Sequence, residues 1–303
     1  MPTSRRPPAK RQPRKRRKKD PKRRSFLWRW RRLLFVVGLF VVAGVAGLIF
    51  VLAQIELPPE RVQAQTSFVC AGDVTAGCNA DNAMATFVGE QDRVNVKLAE
   101  VPQVLVDAVL AAEDKTFFEH GGVDPLGVVR ALWADLRGSS STQGGSTITQ
   151  QYVKKAFLTD ERTFTRKIKE AVLSIKLEKE LTKQQILERY LNIVYFGRGA
   201  YGVGAASRTY FGHDLSQITL PEAAYLAGLI RSPETADFTS APDQAKFRRH
   251  SVLQAMLDDG KLTQAQFAEA DATAFAVLPR TTRQGLGPVK GALYGAEFFV
   301  VFV

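Results

Sequence analysis

The run Glu113-Asp114-Lys115-Thr116-Phe117-Phe118-Glu119-His120, continuing Gly121-Gly122-Val123-Asp124, packs ionisable side chains densely ahead of a glycine-bearing turn. Glu113 falls on a helix face that is otherwise apolar, shared with Val106, Val109, Leu110 and Phe117. Desolvation on such a face raises a carboxyl pKa toward the range useful for general acid–base chemistry. The plainer alternative is a capping or salt-bridging glutamate at the domain surface. His120 and Asp124 could suggest a metal site, but a lone histidine beside a turn is more often a hydrogen-bonded structural residue, and that reading is kept.

A second constellation is Gly144-Gly145-Ser146-Thr147-Ile148-Thr149-Gln150-Gln151, followed by Lys154 and preceded by Gly138-Ser139-Ser140-Ser141. Hydroxyls, amides and helix N-terminal N–H groups converge in such a loop, which suits sugars and phosphates. By composition alone it is equally an ordinary Ser/Gly surface loop. A third is Arg162, Arg166, Lys167 and Glu170. The Arg166–Glu170 spacing of i,i+4 is explained by a surface ion pair. Chemistry would need these cations and Lys154 to converge on one anion, as a departing diphosphate requires.

The elements that must position these groups are mostly helices. The pattern predicts a helix over residues 102–119 and a charged helix over 161–180 with an apolar stripe of Ile168, Val172 and Ile175. Thr182 with Gln185, and Thr219 with Glu222 and Pro221, read as capping boxes opening two more helices. Further helices are expected at 241–258 and 263–271, and a strand at 93–98. The fold class is therefore mainly α with a few short strands.

The net charge of +12 is a property of the N-terminus. Residues 1–32 hold 16 of the 42 Lys and Arg with one acid, Asp20, and the remainder carries a net −3. This proline-bearing tail is expected to be disordered. Leu33 to Ala53 is 21 residues without a charge. As a helix it would be about 32 Å long, enough to cross a bilayer, with Trp28 and Trp30 at the cytoplasmic edge. The positive-inside rule puts the tail in the cytoplasm and the body outside. A cleaved signal peptide is the alternative, but its apolar core would be shorter. The tail then serves anionic lipid rather than nucleic acid. Cys70 and Cys78 are disulfide candidates on the oxidising side, with two free thiols as the alternative; two thiols without a nearby His make half a zinc site. The expected organisation is a tail at 1–32, a membrane helix at 33–53, a linker with short strands at 54–100, a catalytic domain at 101–280 and a junction at 281–303. The apolar run GAEFFVVFV at the end suggests a fragment whose next domain is missing.

EDKTFFEHGGVD, GGSTITQQ, RKIKE, KQQILERYLN and AAYLAGLIRSPE together resemble the successive motifs of family 51 glycosyltransferases, found in class A penicillin-binding proteins and monofunctional peptidoglycan glycosyltransferases. The resemblance covers residues 101 to about 235, and the basic tail is similar to those of actinobacterial members. It implies a lysozyme-like helical domain that polymerises lipid II into β-1,4-linked glycan with inversion, releasing undecaprenyl diphosphate. It places Glu113 as general base and Glu170 as second essential carboxylate, with Asp114 beside Glu113. It places Lys154, Arg162, Arg166 and Lys167 on the diphosphate, and Arg130, Ser146, Gln150 and Gln151 at the donor site. A divalent cation, Mg²⁺ or Mn²⁺, is implied in some members. The implied partners are lipid II, lipid-linked glycan, the membrane, and cell-wall synthesis and division proteins. Gly204 stands where many members carry Glu, and no role is assigned to it.

The competing readings are a lysozyme-like hydrolase using Glu113 as general acid, and a non-catalytic membrane scaffold. A neutral sugar leaving group needs no cationic clamp, which speaks against the hydrolase. Neither Ser-x-x-Lys nor Lys-Thr-Gly occurs, so peptide crosslinking is not expected of this chain.

Overall fold

The computed structural model describes residues 33–40, 42–44, 46–47, 54–60, 67–70, 85–88, 92–125, 127, 145–158, 163–274, 276–280 and 285–286. The chain divides into two units, Met1–Gln54 and Ile55–Val303. In the first, residues 33–40, 42–44 and 46–47 are helical. Among the described residues no helix is long and apolar enough to cross a membrane, and residues 41, 45 and 48–53 of the expected span at 33–53 lie outside them.

The second unit is mainly helical. Its helices are α1 (Gln103–Glu113), α2 (Ile148–Phe157), α3 (Phe164–Glu180), α4 (Lys183–Ile193), α5 (Val203–Tyr210), α6 (Leu220–Leu229), α7 (Pro242–Asp258) and α8 (Gln264–Ala272). The strands are short: β1 (Ser67–Val69), β2 (Ala85–Val88) and β5 (Gly285–Leu286) form an antiparallel sheet, and β3 (Asp92–Arg93) pairs parallel with β4 (Ala200–Tyr201). Helices α1, α6 and α7 pack together, as do α2, α3 and α4.

Local chemistry explains where these helices begin. Thr147, Thr182 and Thr263 each accept from the backbone N–H three residues on, and Gln150, Gln185 and Gln266 return a bond to the threonine N–H. Reciprocal caps of this type satisfy donors that the first helical turn would leave unpaired. Four tyrosines fill the interior, and each buried hydroxyl finds a partner. Tyr152 donates to Glu60 at 2.7 Å, Tyr190 to Gln151 at 3.1 Å and Tyr210 to the Phe196 carbonyl at 2.7 Å, while Tyr225 accepts from the Phe238 N–H at 2.9 Å.

Three expectations about local structure are corrected. The helix expected to run to residue 119 stops at Glu113, because Asp114 leaves helical geometry (φ −163°, ψ 77°) and turns its carboxylate to other partners. Phe117 is buried all the same, delivered by the turn that follows. The apolar stripe of α3 is misplaced. Its inward face is Glu170, Leu173, Ser174 and Leu177, whereas Ile175 is 47% exposed. The strand expected at 93–98 contains only Arg93, since the N–H and carbonyl of Val96 bond to the Asn192 side chain and the Leu98 N–H bonds to Glu188. Those groups are then not free for a ladder. At Gly204 a Cβ would lie 2.8 Å from the Val94 carbonyl oxygen, so no larger residue fits there without movement.

Candidate active site

Glu113 is the last residue of α1 and is half-buried, its carboxyl facing Gln151 with Arg231, Lys155 and Asp114 nearby. Burial pushes its pKa up; a hydrogen bond from Gln151 and the charges of Arg231 and Lys155 pull in the opposite direction without cancelling it. Gln151 Nε2 donates to Glu113 Oε2 at 2.7 Å. The amide is oriented from behind, because Tyr190, fully buried on α4, donates its hydroxyl to Gln151 Oε1 at 3.1 Å. With the oxygen occupied in this way, the amide presents N–H groups to the carboxylate.

Asp114 is directed elsewhere. One oxygen accepts from the Ile148 N–H at 3.0 Å, at the N-terminus of α2, and the other lies 2.7 Å from His120 Nε2. A carboxylate at a helix N-terminus is well placed for the exposed N–H groups and the dipole. Asp114 thus fastens α1 to α2, and His120 serves it as a hydrogen-bonding partner. Gly122 completes the junction. Its carbonyl accepts from Thr147 Oγ1 at 2.8 Å, and it lies so close to α3 that a Cβ would sit 2.4 Å from the Ser174 carbonyl carbon and oxygen.

The second carboxylate, Glu170, is 2% exposed on α3. It pairs with the Lys167 ammonium, which also donates to Ser146 Oγ at 2.8 Å. Beside them, Arg166 Nε is buried with no hydrogen-bond partner among the described residues. An unpaired buried guanidinium N–H is costly, and an arriving anion would satisfy it. Residues 146–151 therefore bear on three carboxylates: Ser146 on Glu170 by way of Lys167, Ile148 on Asp114, and Gln151 on Glu113.

Not every expected residue is brought in. Gln150 is buried, and its Oε1 accepts from the Thr147 N–H to close the cap. Lys154 is exposed on α2. Arg130 and Arg162 lie outside the described residues, as does Cys78; Cys70 is disulfide-bonded. Among the described residues no group of three His, Cys, Asp or Glu converges, and the ammonium of Lys167 already sits on Glu170. These residues do not fit a divalent cation held by Glu170.

Glu113 opens onto a cleft of about 400 Å³ whose lining includes Lys115, Arg231, Arg248, Asp258 and Asp259. The sequence reading missed Arg231, Arg248, Lys155 and Tyr190 as site residues. Arg231 lies inside a motif that the reading quoted, but a cation far along the chain carries no local sign of facing Glu113.

Comparison with known proteins bears on this arrangement. The transglycosylase family model matches residues 80–257, more than half of the chain. The chain belongs to the transglycosylase family. This transglycosylase is 48% identical over 189 residues to penicillin-binding protein 1A of Escherichia coli K12, covering 62% of the chain and 22% of that protein. It is 46% identical over 191 residues to penicillin-binding protein 1A of Haemophilus influenzae, covering 63% and 22%. Against penicillin-binding protein 1A of Mycolicibacterium smegmatis it is 38% identical over 257 residues, covering 82% and 32%. It thus spans between about a fifth and a third of the length of these relatives. The crystal structure of the H. influenzae protein aligns with 74% of the transglycosylase and 23% of its own chain, with a TM-score of 0.41 and 25% identity.

Proposed function

We propose that this chain is a peptidoglycan glycosyltransferase that extends glycan from lipid II. The observation that carries the reading is the dehydrated Glu113 carboxyl, hydrogen-bonded by Gln151 and opening onto a cleft lined by cations. Family membership supports it. In this reading the 4-hydroxyl oxygen of the acceptor attacks the anomeric carbon of the donor while Glu113 takes the hydroxyl proton. The bond from that carbon to the diphosphate oxygen breaks, and the diphosphate leaves with the electron pair. Attack opposite an α-linked leaving group gives a β-1,4 link with inversion.

Lys167, Arg166 and Ser146 stabilise the departing diphosphate, and the family resemblance alone adds Lys154, exposed on α2, with Arg162 and Arg130. Cations placed where negative charge develops are commonly worth several kcal/mol in a site that excludes water. Glu170 holds the Lys167 ammonium toward Ser146 and acts on the donor through it. The helical body is a lysozyme-like domain in this proposal. Residues 33–53 span the membrane, with the basic tail in the cytoplasm and the body outside, so enzyme and lipid substrate share one surface. Cell-wall synthesis and division proteins are its expected neighbours.

The test is lipid II polymerisation by wild type and by Glu113→Gln. Loss of chain growth by roughly 10²–10⁴-fold is expected for removal of a general base. Growth at the wild-type rate would end the proposal. Incubation with finished glycan strands separates a hydrolase, which alone would shorten them.

A further inference from the structure

We infer that Glu60 is a positioning residue for chain growth, bracing α2 against α4 at the level where the Gln151 amide meets Glu113. This rests on the polymerase reading above and adds to it a residue from outside the helices. Two consecutive positions of α2 work with two consecutive positions of α4. Tyr190 donates to Gln151 Oε1 at 3.1 Å, and Gln151 Nε2 donates to Glu113 at 2.7 Å. One residue further along α2 and one residue back along α4, Glu60 bridges the same pair of helices. Its Oε1 accepts from Tyr152 at 2.7 Å and its Oε2 from Arg189 Nη1 at 3.1 Å. The brace and the amide that serves the base therefore share one level of the α2–α4 contact.

The two arms of the brace differ in weight. The Glu60 and Arg189 side chains are 41% and 43% exposed, and an ion pair in that setting contributes little. Tyr152 is fully buried, so loss of Glu60 would strand its hydroxyl away from solvent. The segment carrying Glu60 is shaped to deliver it. Ile55 and Leu57 pack against the core, and the Lys176 ammonium on α3 donates to the Ile55 carbonyl. Pro58 and Pro59 fix their own φ just ahead of Glu60. Helices α2, α3 and α4 thus each lend one side chain to residues 55–60. Without the brace, α2 and α4 settle differently, and the Tyr190 hydroxyl orients the Gln151 amide less firmly. A weaker N–H donor stabilises the Glu113 carboxylate less, so the base ionises at higher pH. The other charges near Glu113 are Asp114 and Lys115 past the end of α1, Lys155 on α2, Arg231 after α6 and Arg248 on α7. His250, Asp258 and Asp259 line the same cleft. All of them remain in the variants below.

The experiment uses the full chain in detergent micelles and initial rates of lipid II polymerisation across pH. Glu60→Ala and Tyr152→Phe are each expected to move the acid limb of the kcat profile up by roughly 0.3 to 1 pH unit, with the rate recovered at alkaline pH. Glu60→Gln keeps an oxygen for the phenol and should stay near the wild-type limb. KM for lipid II should change by less than about twofold, since an effect confined to the base is read in kcat. An unmoved limb, whether the rate falls uniformly or not at all, overturns the proposal and leaves Glu60 as packing. Adding Glu60→Ala to Tyr190→Phe should shift the limb no further than Tyr190→Phe alone, because both act through one amide; additive shifts would refute that route. Thermal melts confirm folding, and Tyr152→Phe, which removes a single hydroxyl, keeps the test open if Glu60→Ala unfolds. The Glu113 carboxyl can also be titrated without substrate by its ¹³C resonance, assigned by its loss in Glu113→Gln. A shift of that titration in Tyr152→Phe supports the brace even if wild type fails to polymerise lipid II, which would remove the underlying reading alone. An active wild type whose Glu113 titration is indifferent to Tyr152→Phe and Glu60→Ala removes the brace alone.

Discussion

Replacing Gln151 with Leu removes one N–H donor from Glu113 at nearly constant side-chain volume. The bond is 2.7 Å long, its acceptor is a carboxylate, and its donor is held by Tyr190, so it belongs with the charge-assisted class worth about 1.5–3 kcal/mol. That bond favours the ionised carboxyl and partly opposes the upward push of burial. A base works when ionised, so activity is present above its pKa and lost as pH falls through it. Without the donor the pKa rises further, and the acid limb of the kcat profile moves to higher pH. On the acid side of the wild-type limb the rate should fall by roughly 10- to 150-fold, which is the same energy expressed as a rate. At alkaline pH much of the loss should be recovered. Tyr190→Phe, which frees the amide to rotate, should move the limb in the same direction by less. The assay is initial-rate lipid II polymerisation across pH. A uniform loss at every pH with an unmoved limb would refute the argument and leave Gln151 as a substrate contact only.

Glu113→Gln should raise thermal stability at neutral pH while slowing chain growth by the roughly 10²–10⁴-fold given above. A carboxyl whose folded pKa lies above its unfolded one contributes stability that is full below the unfolded value and lost as pH rises through the folded value. Melts across pH should therefore diverge in favour of the variant on the alkaline side, and a destabilised variant would contradict this. Arg198→Ala should cost about 3–5 kcal/mol, because it strands Asp237 in a bidentate pair that is almost fully buried, with both contacts at 2.6 Å. Asp237 is held down to about 2, chiefly by the Arg198 hydrogen bond acting against burial. Its stabilisation is present above the ordinary carboxylate value and lost as pH falls toward 2, so denaturant titrations should show the variant gap narrowing in acid. Gly122→Ala should cost about 1–3 kcal/mol and reduce activity, since the new methyl meets the Ser174 carbonyl and must push residues 146–151 off both carboxylates. A melt and a rate matching wild type would show that the junction yields freely.

What could be read from the sequence was whatever short-range chemistry specifies. The caps at Thr182 and Thr219 depend on side chains three residues apart, and the helices they open stand where the pattern places them. The apolar face carrying Glu113 depends on one helical period. The failures all involve partners far along the chain. Ile168, Val172 and Ile175 form as good a stripe as the one that is buried; the buried face meets partners far along the chain, among them Gly122, which lies against Ser174 from some fifty residues away. Arg93 to Leu98 alternates like a strand, but Asn192 and Glu188 take its backbone groups. Nothing near Gln151 announces that a tyrosine on another helix will fix its amide, or that Arg231 and Arg248 will border the same cleft.

The short run from Ser146 to Gln151 has a consequence for how this enzyme can vary. One cap and its first helical turn bond Glu113 directly through Gln151 and reach Glu170 through the Lys167 ammonium, so the two acidic centres are linked by this segment. A change that improves the grip on one substrate shifts the geometry at the other, so substitutions here should combine with large non-additive energies in double-mutant cycles. Variation in specificity is then expected to arise at the periphery of the cleft, while this hexapeptide tolerates little.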